Sequence, residues 1–146
     1  MAKYSVSSIL QTVLLGSLSL VAITPAHAAP HAGLAAASYT QEQAARGAET
    51  YKEACALCHG ASLGGAFDTP ALKGRFVANW AGAPLRDLFD YMQRAMPLSA
   101  PGTLSAEDNA DILAFLLQEN GVKPGKKPLP AEGTALARVQ FPKAKL

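Results

Sequence analysis

Residues 40–59 read TQEQAARGAETYKEACALCH, and the pentapeptide that closes them, Cys55-Ala56-Leu57-Cys58-His59, decides how the rest of the chain is read. Thr40-Gln41-Glu42-Gln43 has the form of a capping box, with Thr40 as N-cap and Gln43 at the third helical position. The helix it opens is expected to run from about Gln41 to Ala56. Gly47 and Tyr51 stand four apart on one face of it. A glycine inside a helix costs ~1 kcal/mol against alanine, so a close crossing with another helix is the best reason for Gly47. Cys55 and Cys58, three apart on a helical turn, face the same way, and His59 follows at once.

That spacing lets both thiols add across the two vinyl groups of a haem while the adjoining imidazole reaches the iron. C-x-x-C-H is the attachment motif of a c-type haem. Three other readings explain less. A structural zinc site needs four ligands, and after export the chain offers only Cys55, Cys58, His59 and the remote His31. A thioredoxin-like redox pair wants a βαβ setting, which the sequence lacks. A plain disulfide would leave His59 unexplained. One covalent haem c, attached through Cys55 and Cys58 with His59 on the iron, is therefore expected.

The sixth ligand follows by elimination. Of the three methionines, Met1 leaves with the leader discussed below, so Met92 and Met96 remain. Leu85, Leu88, Phe89 and Met92 recur at i, i+3, i+4 and i+7, a buried helical stripe on which methionine is ordinary core filling. That second helix starts near Pro84 and must stop near Ala95, because Pro97 disfavours helical geometry at Met96. Met96 then lies in a loop restricted by Pro97 and by Pro101-Gly102, and it is the favoured ligand.

Outward from this centre, the first 28 residues read as an address. Lys3 supplies positive charge, Ile9 to Ile23 is uncharged and apolar, Pro25 ends the run, and Ala26-His27-Ala28 suits an export peptidase. An uncleaved membrane anchor is the competing reading, but Gln11, Thr12, Ser17 and Ser19 interrupt the ~20 apolar residues a spanning helix needs. The expectation is a cleaved signal peptide over 1–28, a periplasmic location and no stable membrane insertion afterwards. Residues 29–38 read as a flexible leader, and the main domain is expected over 39–121.

Within that domain, Gly60 to Gly82 reads as loop, with five glycines and no alternation. Ser105-Ala106-Glu107-Asp108 resembles a second N-terminal cap, and Ile112, Phe115, Leu116 and Leu117 give the following helix its apolar face. Asn120-Gly121 is its stop signal. Long Gly/Pro loops in a compact domain need something to wrap around. From residue 122 the chain holds six basic residues against one acidic, a net of +5, whereas residues 29–121 hold six against ten. With four prolines, 122–146 reads as an extended, solvated tail. The 146 residues carry 49% hydrophobic and only 16% charged side chains, which argues against disorder throughout, and a net charge of +2 is too small to point to a nucleic-acid binder. Aromatics are only 7%, so a core of Ala and Leu would be thin without a bulky bound group.

Taken together, the pattern resembles the class I cytochromes c over about residues 39–130: an N-terminal helix ending in C-x-x-C-H, Gly-rich loops, a Met-Pro segment and a closing helix. The resemblance implies an all-α cytochrome c fold of three or more helices with loops wrapped around one haem. It implies that Gly47 and Tyr51 cross the last helix near Phe115, and that Pro70 offers its carbonyl to the ring N–H of His59. Trp80 and Arg75 become candidates for binding the haem propionates, although a core tryptophan and a surface arginine would read the same way. A narrower similarity, in residues 96–105 (MPLSAPGTLS) and 110–117 (ADILAFLL), is to small cytochromes that accept electrons from bacterial quinoprotein (PQQ) dehydrogenases.

An iron saturated by His and Met leaves substrate no open position, so only an electron can come and go. The expected role is therefore a periplasmic electron carrier, not an enzyme. Its expected donor is a redox protein such as a quinoprotein dehydrogenase, and its acceptor a terminal oxidase or another cytochrome. A cytochrome subunit fixed in a dehydrogenase complex, or a ligand-binding or peroxidase-type haem protein, are the alternatives.

Overall fold

The computed structural model describes residues 34–143, so the expected signal peptide and His31 lie outside the described residues. Thr40 caps α1 (Gln41–Ala54), its hydroxyl accepting the Gln43 backbone N–H at 3.2 Å. Cys55 breaks the helix with φ −123°, and a separate turn, α2 (Ala56–His59), carries the rest of the pentapeptide, so the expected single helix to Ala56 is two. α4 (Leu85–Ala95) buries Leu85, Leu88, Phe89 and Met92 on one face. It ends where expected, since Met96, preceding Pro97, is extended at φ −122° and ψ 151°.

α5 (Ala106–Glu119) opens with a reciprocal capping box between Ser105 and Asp108. Its far end is a Schellman motif. Gly121 adopts φ 83°, its N–H meets Gln118 O at 3.0 Å, and the Val122 N–H meets Leu117 O at 3.0 Å.

The most extensive helix contact is α1 on α5. At the crossing Gly47 lies directly against the Asp111 peptide, and a Cβ there would overlap the Asp111 carbonyl. One residue back, Arg46 grips the Asp111 carboxylate through Nε at 2.7 Å and Nη2 at 3.0 Å. One turn on, the Tyr51 and Phe115 rings pack with centroids 5.2 Å apart. Gly47→Ala should therefore lower stability by ~3 kcal/mol or more, because overpacking outweighs the ~1 kcal/mol gained in helix propensity. Chemical denaturation measures this directly, and a variant at least as stable as the parent would show the crossing to be looser than described.

Three expectations are corrected. The stretch from Gly60 to Gly82 is not all loop, since α3 (Arg75–Trp80) forms inside it and buries Phe76 against Phe141, centroids 5.9 Å apart. The flexible leader is ordered over its described part: β1 (Ala35–Ala36) pairs in parallel with β2 (Val139–Gln140), and Tyr39 is fully buried with its hydroxyl on Val122 O. The tail is not a solvated extension. Leu129, Leu136 and Phe141 are buried, and α6 (Gly133–Leu136) lies on α4. Gln43, which the capping box assigned to the helix start, is 3% exposed and clamps the tail instead, donating to Leu129 O at 3.0 Å and accepting its N–H at 2.8 Å. Lys123, Lys126 and Lys127 stay on the exposed side of this strap. The all-α architecture, expected with three or more helices, stands as six helices among the described residues, with two two-residue strands.

Candidate haem site

The turn that carries the pentapeptide is closed by local hydrogen bonds. Gly60 reverses the chain after His59 at φ 79°, and the Tyr51 hydroxyl donates to Gly60 O at 2.7 Å. Burial, with the neighbouring Cys55 second, pushes the Tyr51 hydroxyl up to about 12, so it remains a donor at neutral pH. Burial, and then Cys58, pushes the Cys55 thiol up to about 11. The two sulfurs are not joined to each other.

His59 Nδ1 lies 2.9 Å from Pro70 O. A carbonyl can only accept, so Nδ1 carries the proton and Nε2 keeps its lone pair free for a metal. The loop between them folds tightly enough to make this contact: Gly65 N–H donates to His59 O at 2.8 Å, and Leu72 N–H donates to Leu63 O at 2.9 Å.

These groups face a cavity of about 940 Å³. All seven residues expected at the site line it: Cys55, Cys58, His59, Pro70, Arg75, Trp80 and Met96. Arg75 and Trp80 stand at the two ends of α3, Arg75 exposed and Trp80 half-buried against Phe76 and Tyr91, each at a centroid separation of 6.5 Å. Met92 lines the cavity too, so the fold brings both candidate thioethers to the wall. Met92 is 7% exposed within the α4 stripe, whereas Met96 is half-buried at the C-cap, outside that stripe.

Two thiols, an imidazole with a free nitrogen and a thioether around one cavity are the donor set a covalent haem requires. The residues present fit the group. Two asparagines in and beside the site carry contacts that the sequence reading did not assign to them. Asn109 is fully buried at the cavity wall; its amide donates to Ser105 O at 2.8 Å, and its Oδ1 has no partner among the described residues. Asn120, read only as a helix stop, also donates to Leu72 O at 2.9 Å. The Asn120–Leu72 contact has no local sequence signal, because its partner lies 48 residues away along the chain.

Among the described residues no helix is long and apolar enough to cross a membrane, and no three His, Cys, Asp or Glu side chains gather as a metal site. The helical fold and the C-x-x-C-H wall define a c-type cytochrome domain. Residues 42–116, just over half of the chain, match the family cytochrome c oxidase, cbb3-type, subunit III, and the chain belongs to that family. Membership makes it a haem c electron-transfer protein with a cytochrome c fold and redox partners. Among solved structures it is similar to the sulfane dehydrogenase SoxCD from Paracoccus pantotrophus, at 27% identity and a TM-score of 0.53. That likeness covers 75% of this chain and 61% of the other, so the chain spans less than two thirds of its structural relative. No curated protein matches the chain.

Proposed function

We propose that the protein is a periplasmic class I cytochrome c with one haem, which passes single electrons between redox proteins. The observation that carries this is the donor set lining a single cavity, with the His59 tautomer fixed by Pro70 O. When bound, the haem supplies a one-electron iron couple. Cys55 and Cys58 would hold it covalently, and His59 and Met96 would both ligate its iron, which would leave no open position for substrate. Thioether ligation and burial favour the ferrous state and so raise the potential. Arg75 and Trp80 offer donors to the propionates. Leu57 at 92% exposure and Leu98 at 80% line the same cavity, and exposed apolar side chains at its rim suit contact with another protein.

The electron donor proposed is a quinoprotein dehydrogenase, on the strength of the motifs at residues 96–105 and 110–117. A second reading is favoured by the likeness to the sulfane dehydrogenase SoxCD: a cytochrome subunit fixed in a dehydrogenase complex. Export rests on the leader over residues 1–28.

The test is expression in a host that matures c-type cytochromes. The expected product is soluble in the periplasm, begins at or near Ala29, and is reduced and reoxidised by one electron without binding carbon monoxide at neutral pH. Carbon monoxide binding by the reduced protein would favour the ligand-binding alternative, and an N-terminus within Ile9–Ile23 would favour an anchor. Co-purification with a membrane-bound or soluble dehydrogenase separates the fixed subunit from the shuttle.

A further inference from the structure

The wall that carries His59 is fastened from the far end of the domain. Pro70 O accepts from His59 Nδ1, and two residues later the Leu72 carbonyl accepts from Asn120 Nδ2 at 2.9 Å. The same amide reaches Leu116 O at 2.8 Å, so it bridges the last turn of α5 to the loop behind the histidine. Gly65 also lies flush against the Pro70 peptide. A Cβ there would meet Thr69 O at 2.5 Å, Ala71 N at 2.8 Å and Pro70 C at 3.0 Å, and the residue adopts φ +75°. The Pro70 carbonyl is thus set between a glycine that leaves it room and a side-chain tie that holds its strand of loop in place.

We infer that Asn120 is a positioning residue for the His59 imidazole, acting through Leu72 and the Pro70 carbonyl. The inference rests on His59 being the proximal ligand. A carbonyl that accepts from Nδ1 makes Nε2 a stronger donor and so favours the ferric state. Loosening that carbonyl weakens the donor and shifts the couple toward ferrous iron. The position requires donors, because the group faces two carbonyl oxygens; aspartate would set a negative charge against both. The neighbouring Lys73–Glu119 pair, at 2.9 Å, spans the same gap but is solvent-exposed on both sides and contributes little.

Redox titration of the haem-loaded protein tests this with four variants. Asn120→Ala and Asn120→Asp should each move the redox equilibrium several-fold toward the ferrous form, while the near-infrared band of Met-ligated ferric iron stays in place. Gly65→Ala, whose methyl would press on the Pro70 peptide, should move it in the same direction. Lys73→Ala should leave it unchanged. A potential equal to that of the parent in Asn120→Ala, with only the melting temperature lowered, overturns the proposal, since the amide would then serve the helix end alone. Loss of the near-infrared band in that variant also overturns it, because the effect would run through the methionine side. If Asn120→Ala does not fold, an unchanged potential in Gly65→Ala is decisive against it. A parent protein that takes up no haem would instead refute the underlying reading, before any variant is compared.

Discussion

Met96→Ala is expected to open the iron to carbon monoxide, lower the reduction potential and abolish the near-infrared Met–Fe(III) band. Met92→Leu is expected to do none of these. Both sulfurs belong to side chains lining the cavity, so proximity alone does not choose between them. Packing does. Met92 is buried among Leu85, Leu88 and Phe89 on α4, and leucine of similar volume there costs less than ~1.5 kcal/mol. Met96 sits one residue past the helix, where the extended backbone ahead of Pro97 leaves its side chain outside that stripe. Spectra and carbon monoxide titration of the two variants form the measurement. The reverse result would make Met92 the ligand and leave the Pro97 loop another purpose. If neither variant alters the band, His31 becomes the ligand to test.

Replacing Cys55 and Cys58 together by alanine should remove all covalently held haem. The parent should keep its haem through denaturation and acid–acetone extraction, with an intact mass of the polypeptide plus one haem. Each single variant should retain one thioether bond. The double variant should also lose helical signal in circular dichroism, because nothing else would fill a cavity of about 940 Å³. Covalent haem persisting in the double variant would refute attachment through these residues.

The parts legible in the sequence were those whose information is local. α1, α4 and α5 follow from caps and apolar spacing within each segment, and their ends at Met96 and Gly121 follow from Pro97 and from a glycine that tolerates positive φ. α3 was hidden because six residues between glycines are too few to show a period, and its burial depends on Phe141 far along the chain. The tail was misread for a related reason. Leu129, Leu136 and Phe141 are single apolar residues among prolines and lysines, and what buries them is tertiary. Gln43 is the clearest case: its place three residues after Thr40 suggests a capping role, yet its amide is taken by Leu129. At the site, the pentapeptide named its own chemistry, but the tie from Asn120 to Leu72 appears only once the loops are folded.

The pairing of β1 with β2 brings the beginning and the end of the described chain together, with the Ala35 N–H on Arg138 O at 2.8 Å and Ala35 in register with Val139. A segment whose entry and exit points are neighbours is portable. It can be spliced into a surface turn of a larger host with little added loop-closure entropy, and a permuted version with its ends joined and new ends cut elsewhere should still fold. Such a cassette needs no separate scaffold to keep its redox centre intact, since the strap from residue 123 onward is closed against α1 and α4 by the cassette's own residues.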